Sequence, residues 1–434
     1  MHRFTRLEDD DAVSLPVGGN CPRLLRSQVP GDAMKAYMVR TNKTIEPFGE
    51  HPGACLVLNK ELSDLQERAL KDLGLLLEVT NDASLVKDPD EHILFEDALY
   101  FTPELLSAFI SRSRKACATT VCALKPGVST LRSVVATQDV RVYADRVEYG
   151  LTYQPKEELR GPSLPVVIDP DRFFEFLPMP EHIFGGREYR IPLSDLEIVS
   201  IDHWTNLWAA NMLGLLANGA SLKKASKLKL LGLAIKAGSF NQWKVLRQTN
   251  RIGHHCDIHP TAYVEGSQIG DNVRVGAGAI VRECLVGAGT FIGSNVTLEL
   301  SVVGGNCTII NGCTIQYSVI YPRALVNSRF LNVSVCGRDT FVGDGVTFAD
   351  FRFDGKPVTV IKNGVKVDTG NAFVGSCLGH GAYLGSGCVV APGRVIPNGL
   401  RISPEKQRVI GSLDFDGSLP GHRLMEVARE VVKR

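Results

Sequence analysis

Three kinds of hydrophobic spacing predict the fold class of this sequence: a layered α/β domain, a helical link, and a parallel β-solenoid of triangular section. The solenoid is the clearest. From Ile252 onward aliphatic residues recur every six positions, and one residue is dropped at regular places. Val264, Val281, Leu298 and Ile315 stand 17 residues apart, with each interval split as five, six and six through Ile269 and Val275, Val286 and Ile292, Val303 and Ile309. A period of this length marks stacked coils. Six residues make one short strand and a corner, so three hexads return the chain to its starting face about 4.8 Å higher. Ile292 and Leu298 are expected inside, stacked on their equivalents in the next coil, and Gly293 suits a corner where a Cβ would crowd. About eight coils fit between Ile252 and Ile402, a column on the order of 40 Å long. A coil cannot bury its apolar face alone, so the column demands a cap at each end.

The first 200 residues read differently. Residues 1–33 form an irregular arm, acidic at Asp9, Asp10 and Asp11 and broken by Pro16, Gly18, Gly19 and Pro30. In 34–200, strand-like runs (ACLVLN, HILFED, LPVVI) are interspersed with helical patterns (ELSDLQERALKDLG, TPELLSAFISRSRKA), which predicts an α/β layer domain. Residues 201–250 are helical: Trp204, Leu207, Trp208 and Met212 recur at helical spacing, and a second, basic helix over 221–237 carries Lys223, Lys224, Lys227, Lys229 and Lys236. That helix reads as solvated linker, with a membrane surface or a phosphate as the alternative. The solenoid occupies 251–403, and 404–434 is a tail ending in a short amphipathic helix from Pro420. The repeat is interrupted over 354–373, where alternating apolar residues flank Asn363-Gly364, a two-residue hairpin signal. A β-hairpin is expected to protrude there as a flap beside any ligand site.

With 434 residues and a net charge of +1, the chain has room for two or three domains and no global field suited to nucleic acid. No apolar run reaches the length of a membrane span, and the start has no apolar signal region, so a cytoplasmic location is expected. The 11 cysteines are scattered without a C-x-x-C pair and read as reduced structural thiols.

The segment IHPTAYVEGSQIGDNVRVGAGAIV, with the hexads that follow it, resembles the left-handed β-helix of the hexapeptide-repeat acyltransferases. The stretch GDGVTFADFRFDGKPVTVIKNGVKVDTGNAFVGSCLGHGAYLGSGCVVAPG is closer still. It resembles the C-terminal half of the bifunctional enzymes that acetylate glucosamine 1-phosphate and attach UDP, and HWTNLWAAN looks like the helix joining their two halves. The fold class implied is a degenerate α/β nucleotidyltransferase-like domain, a helical linker, and an all-β left-handed parallel β-helix with an inserted hairpin. The resemblance implies a homotrimer with the ligand in grooves between prisms, acetyl-CoA as donor, and an amino sugar phosphate or nucleotide sugar as acceptor. A non-catalytic sugar-nucleotide-binding or scaffold protein is a second reading, and a sugar-phosphate nucleotidyltransferase a third.

The resemblance also assigns residues. ILFEDALYFTPELLSAFI is similar to the nucleotidyltransferase strand that ends in a metal-binding aspartate, which gives that role to Asp97, with Mg²⁺ if nucleotidyl transfer operates. The glycine-rich phosphate loop of those enzymes has no counterpart in residues 1–60. Acetyl transfer needs a base, a histidine in the relatives, whose position falls near Asn327; no histidine lies between His259 and His380. His380 is the alternative base, or else a corner histidine bonded to backbone. Asn327 is a candidate substrate-binding residue together with Asp350, Arg352 and Asp354, which form a candidate polar floor under a sugar phosphate, with Arg352 matching the family's arginine and Asp350 standing where asparagine is usual. Arg394 is a candidate for the coenzyme A phosphate, or a plain surface arginine. His254, His255, Cys256 and His259 carry metal-ligand chemistry, yet strand alternation parts His255 from its neighbours, and IHPTA is an ordinary opening coil.

Overall fold

Apolar residues on both sides of short strands, and at helical spacing between them, build the first layered domain. The computed structural model describes residues 34–171, 173–177, 189–223 and 227–405, with backbone alone for residue 177 and the helical residues 218–223 and 227–230. The predicted N-terminal arm and C-terminal helix, and the lysines at 223–229, lie outside the described side chains. A mixed sheet runs in the order Leu164–Ile168, Thr120–Leu124, Val147–Gln154, His92–Glu96, Lys35–Val39, Leu76–Thr80. Lys35–Val39 is parallel to both its neighbours, whereas Val147–Gln154 runs antiparallel to the strands beside it. Ile93 and Phe95 lie on one face of their strand and are both buried, and His92 on the opposite face is buried as well, as expected of a central strand covered on both sides. The helix Leu62–Asp72 packs through Leu62, Gln66, Ala69 and Leu70, one stripe of a 3.6-residue period. The helix Pro103–Ala116 starts on Thr102, whose hydroxyl accepts from the Leu105 N–H at 3.4 Å, with Pro103 in the first turn. ACLVLN, read as a full strand, yields only the two-residue strand Leu56–Val57. Leu58 and Asn59 turn to positive φ there, and the chain pairs back through Lys60–Glu61.

The solenoid is a left-handed parallel β-helix of three sheets with eight, eight and seven strands. Ile269, Val286, Val303 and Ile320 stack in register inside one sheet, and Ile292, Ile309, Val326 and Val342 inside the next. Ile292 and Leu298 are fully buried, as their spacing requires. A Cβ on Gly293 would lie 2.7 Å from the backbone nitrogen of Asn311 one coil up, so the corner there is closed to any larger residue.

One sheet departs from an inside-only core. Its outward residues Val302, Val319, Val335 and Cys377 are buried too, because the linker helix Trp204–Lys223 and the loop around Phe48 and Cys55 lie against them. Both partners are wired in. Asn211 Nδ2 donates to Leu56 O at 3.1 Å and the Leu58 N–H donates to Asn211 Oδ1 at 2.7 Å, while Trp208 Nε1 donates to Tyr317 O in the prism at 2.6 Å. The linker helix is therefore the mortar of a shared core between the two halves.

The hairpin forms where Asn363-Gly364 predicts it, pairing Thr359–Lys362 with Val365–Asp368, both turn residues at positive φ. It is not a free flap. Val358 and Val360 are buried in the shared core, and His203 Nε2 donates to Ile361 O at 3.2 Å. The expectation of a protruding flap is corrected: Val358 and Val360 are covered by the chain's own linker and α/β domain. Nine described cysteines are free, in line with structural thiols, whereas Cys117 is disulfide-bonded and departs from that expectation.

Candidate functional site

Strand register locates a shortened coil in the prism. Ile309 pairs with Val326 at the full 17-residue step, but Ile315 pairs with Leu331 after only 16. The dropped residue falls in the corner Asn327-Ser328-Arg329, between Leu325–Val326 and Phe330–Asn332. Neighbouring corners at Asn311-Gly312 and Asp344-Gly345 keep their full turns. The short corner leaves a notch of about 490 Å³ lined by Asn311, Cys313, Asn327, Arg329 and Asp344, among others. Arg329 and Asp344 are exposed and Asn327 half-buried. Burial pushes the Cys313 thiol up to about 11, which removes it as a nucleophile at neutral pH. The notch offers amide, guanidinium and carboxylate groups but no imidazole.

Arg352 and Asp354 pair with each other beside the hairpin, whereas the Asp350 carboxyl turns instead to Asn332. Arg352 Nε donates to Asp354 Oδ1 at 2.9 Å in a two-pronged pair, which raises the guanidinium and lowers the carboxyl relative to their ordinary ranges. Asp350 is buried and held above the usual carboxylate range by desolvation, partly offset by the Asn332 amide donating to it at 2.5 Å. Phe351 and Phe353 stand edge to face beside this floor, Phe353 fully exposed. Asn327 precedes the Phe330–Asn332 strand and Asn332, its last residue, contacts Asp350, so one strand separates the two groups. Arg394 is exposed near the end of the prism.

His380 sits elsewhere, at the seam with the α/β domain. Its Nδ1 accepts the Arg338 N–H at 2.8 Å, which puts the ring proton on Nε2, 3.1 Å from Glu50 Oε1. The ring lies against Phe48 and Tyr321, and Glu50 also pairs with Arg338. Burial, then the Arg338 charge, pushes its pKa down to about 4. In this arrangement both nitrogens are engaged and the ring faces a domain seam.

Asp97 ends the strand His92–Glu96 at the carboxyl edge of the sheet, the usual ligand edge of an open α/β sheet. Its oxygens accept the Thr41 N–H at 2.9 Å and the Thr41 hydroxyl at 2.7 Å, with His51 Nε2 at 3.1 Å. Lys43 reaches Asp202 at 2.6 Å and Asp139 at 3.1 Å, and Lys362 reaches Asp139 at 2.5 Å. These residues do not fit a bound Mg²⁺, since Asp97 is saturated by protein donors and the nearby carboxylates already hold ammonium groups. No trio of histidine, cysteine, aspartate or glutamate suited to a metal forms among the described residues, and His259 Nδ1 is spent on the Thr261 hydroxyl at 2.9 Å.

The sequence reading missed Lys43, Asp139, Asp202 and Lys362, because no spacing pattern links residues brought together from three loops and a hairpin strand. It also passed over the notch, although the 16-residue step from Ile315 to Leu331 is visible in the sequence.

The coil register and its corners agree with what comparison finds. Residues 240–335 match the GMPPB C-terminal domain. The prism is a hexapeptide-repeat β-helix of the kind carried by sugar nucleotidyltransferases, and the matched span contains Asn311, Asn327 and Arg329 of the notch. The chain is also similar to a hexapeptide transferase family protein from Anaplasma phagocytophilum, at 16% identity over 35% of this chain and 78% of that chain, with a TM-score of 0.19. No curated protein matches it. Among the described residues, no helix is long and apolar enough to cross a membrane.

Proposed function

We propose that this chain is a transferase-type protein of the hexapeptide-repeat class that binds a sugar phosphate or nucleotide sugar on its prism. The observation that carries the reading is the notch left by the shortened corner at Asn327, where Arg329 supplies a cation and Asn311 and Asn327 supply amides around a space sized for a hexose phosphate. The match to the GMPPB C-terminal domain over the same coils supports the ligand class. The test is ligand-induced stabilisation with hexosamine 1-phosphates, UDP-sugars and GDP-sugars. A rise in Tm that is lost in Arg329→Ala supports the proposal; no stabilisation by any of them, or stabilisation unchanged in Arg329→Ala, removes it.

Acetyl transfer from acetyl-CoA is the second reading, and the observation favouring it is the exposed Asp344 carboxylate on the notch wall, a proton acceptor beside the amides. In that reading the prisms trimerise, the groove between copies takes the donor, and Arg394 meets the coenzyme A phosphate. Thiol release from acetyl-CoA in the presence of amino sugar phosphates tests it. Turnover lost in Asp344→Asn, with a raised KM for acetyl-CoA in Arg394→Ala, is the expected result; absence of turnover leaves binding alone. His380 serves as a control, since a base there requires the seam with Glu50 to open first.

A further inference from the structure

We propose that Lys43 and Lys362 hold the place of a divalent cation in the α/β half, so that its acidic centre is neutralised by the chain itself and closed by the prism's own hairpin. Four carboxylates meet at the carboxyl ends of the strands: Glu96, Asp97, Asp139 and Asp202. Asp97 and Asp202 are almost fully buried, at 2% and 1% side-chain exposure, and buried carboxylates demand a nearby positive charge or hydrogen-bond donors. Lys43 supplies the charge from the loop after the first strand, touching Asp202 and Asp139 together. Lys362 supplies a second from the hairpin, touching Asp139 while donating to Thr137 O at 2.7 Å. Asp97 has no lysine contact, and both its oxygens are occupied by Thr41.

An ammonium group and a divalent ion satisfy the same carboxylates by different means. The ion leaves coordination positions for phosphate oxygens, whereas three N–H bonds directed at protein oxygens leave none. Asp139 is shared by both lysines, so the first loop, the Asp139 loop and the hairpin are tied at one point. Glu96 answers to the same charges: desolvation raises its pKa, and Lys43 is the group that opposes the shift. The centre therefore joins the two halves of the chain instead of gripping a nucleoside triphosphate through a metal.

Mn²⁺ titration of the native protein, followed by water-proton relaxation, is expected to reveal no site tighter than millimolar. A sub-millimolar site that disappears in Asp97→Asn overturns the proposal without any lysine variant. Lys43→Met, alone and with Lys362→Met, is expected to tighten Mn²⁺ binding at least tenfold, while Lys43→Arg stays like the native protein. Met variants that remain folded by circular dichroism and bind Mn²⁺ no better than native also overturn it.

Discussion

His380 Nε2 lies 3.1 Å from Glu50 Oε1, so an imidazole of the prism closes on a carboxylate of the α/β domain. Phe48 stacks on the same ring, and Asn398 Nδ2 donates to Phe48 O at 3.0 Å. A residue matched to catalysis by type is placed by the fold in a seam.

That placement sets a pH dependence. The His380 pKa is pushed down to about 4, below its unfolded value near 6.5, so between those values the unfolded chain binds the proton and the folded chain does not. Stability from this group is complete above pH 6.5 and is lost as pH falls toward 4. His203, lowered to about 4 by burial, acts in the same direction. Raised acids such as Glu197 act oppositely, so the check is a difference: the Tm of native protein is expected to fall more steeply between pH 6.5 and 4.5 than that of His380→Gln.

Trp208 is the side chain that joins linker helix to prism, mostly buried and bonded to Tyr317 O. Trp208→Ala is expected to cost about 3–5 kcal/mol in urea unfolding. Trp208→Phe, which loses the hydrogen bond and part of the ring, is expected to cost less than half of that. Equal losses in the two variants would contradict the packing role.

The tightness of coil stacking is testable at Gly293. Gly293→Ala drives a Cβ into the Asn311 backbone and is expected to destabilise the prism by more than about 2 kcal/mol, read by thermal unfolding. Gly161→Ala, where a Cβ meets nothing within 4 Å, is expected to change stability by less than about 0.5 kcal/mol.

Inserting one glycine between Ser328 and Arg329 restores the 17-residue step and rebuilds an ordinary corner. The folded content by circular dichroism is expected to hold, and the ligand-induced rise in Tm with sugar phosphates to vanish. Retained stabilisation would place the ligand away from the notch.

The solenoid was legible in the chain because its rule is local: Ile292, Ile309 and Val326 recur at a fixed step, and each stacks on a copy of its own environment. The hairpin at Asn363-Gly364 was legible for the same reason, since two residues with positive φ dictate the turn. The cover over one prism face was not read from the chain, since outward Val302 and Val319 are buried only by a segment distant in sequence. The helix carrying Asn211 and Trp208 became that cover only when both halves folded. The meeting of Lys43 with Asp202, and of Lys362 with Asp139, was decided by the tertiary structure alone. Such pairs form when distant loops converge and buried carboxylates take whichever cation the fold delivers, and no interval along the chain records that convergence.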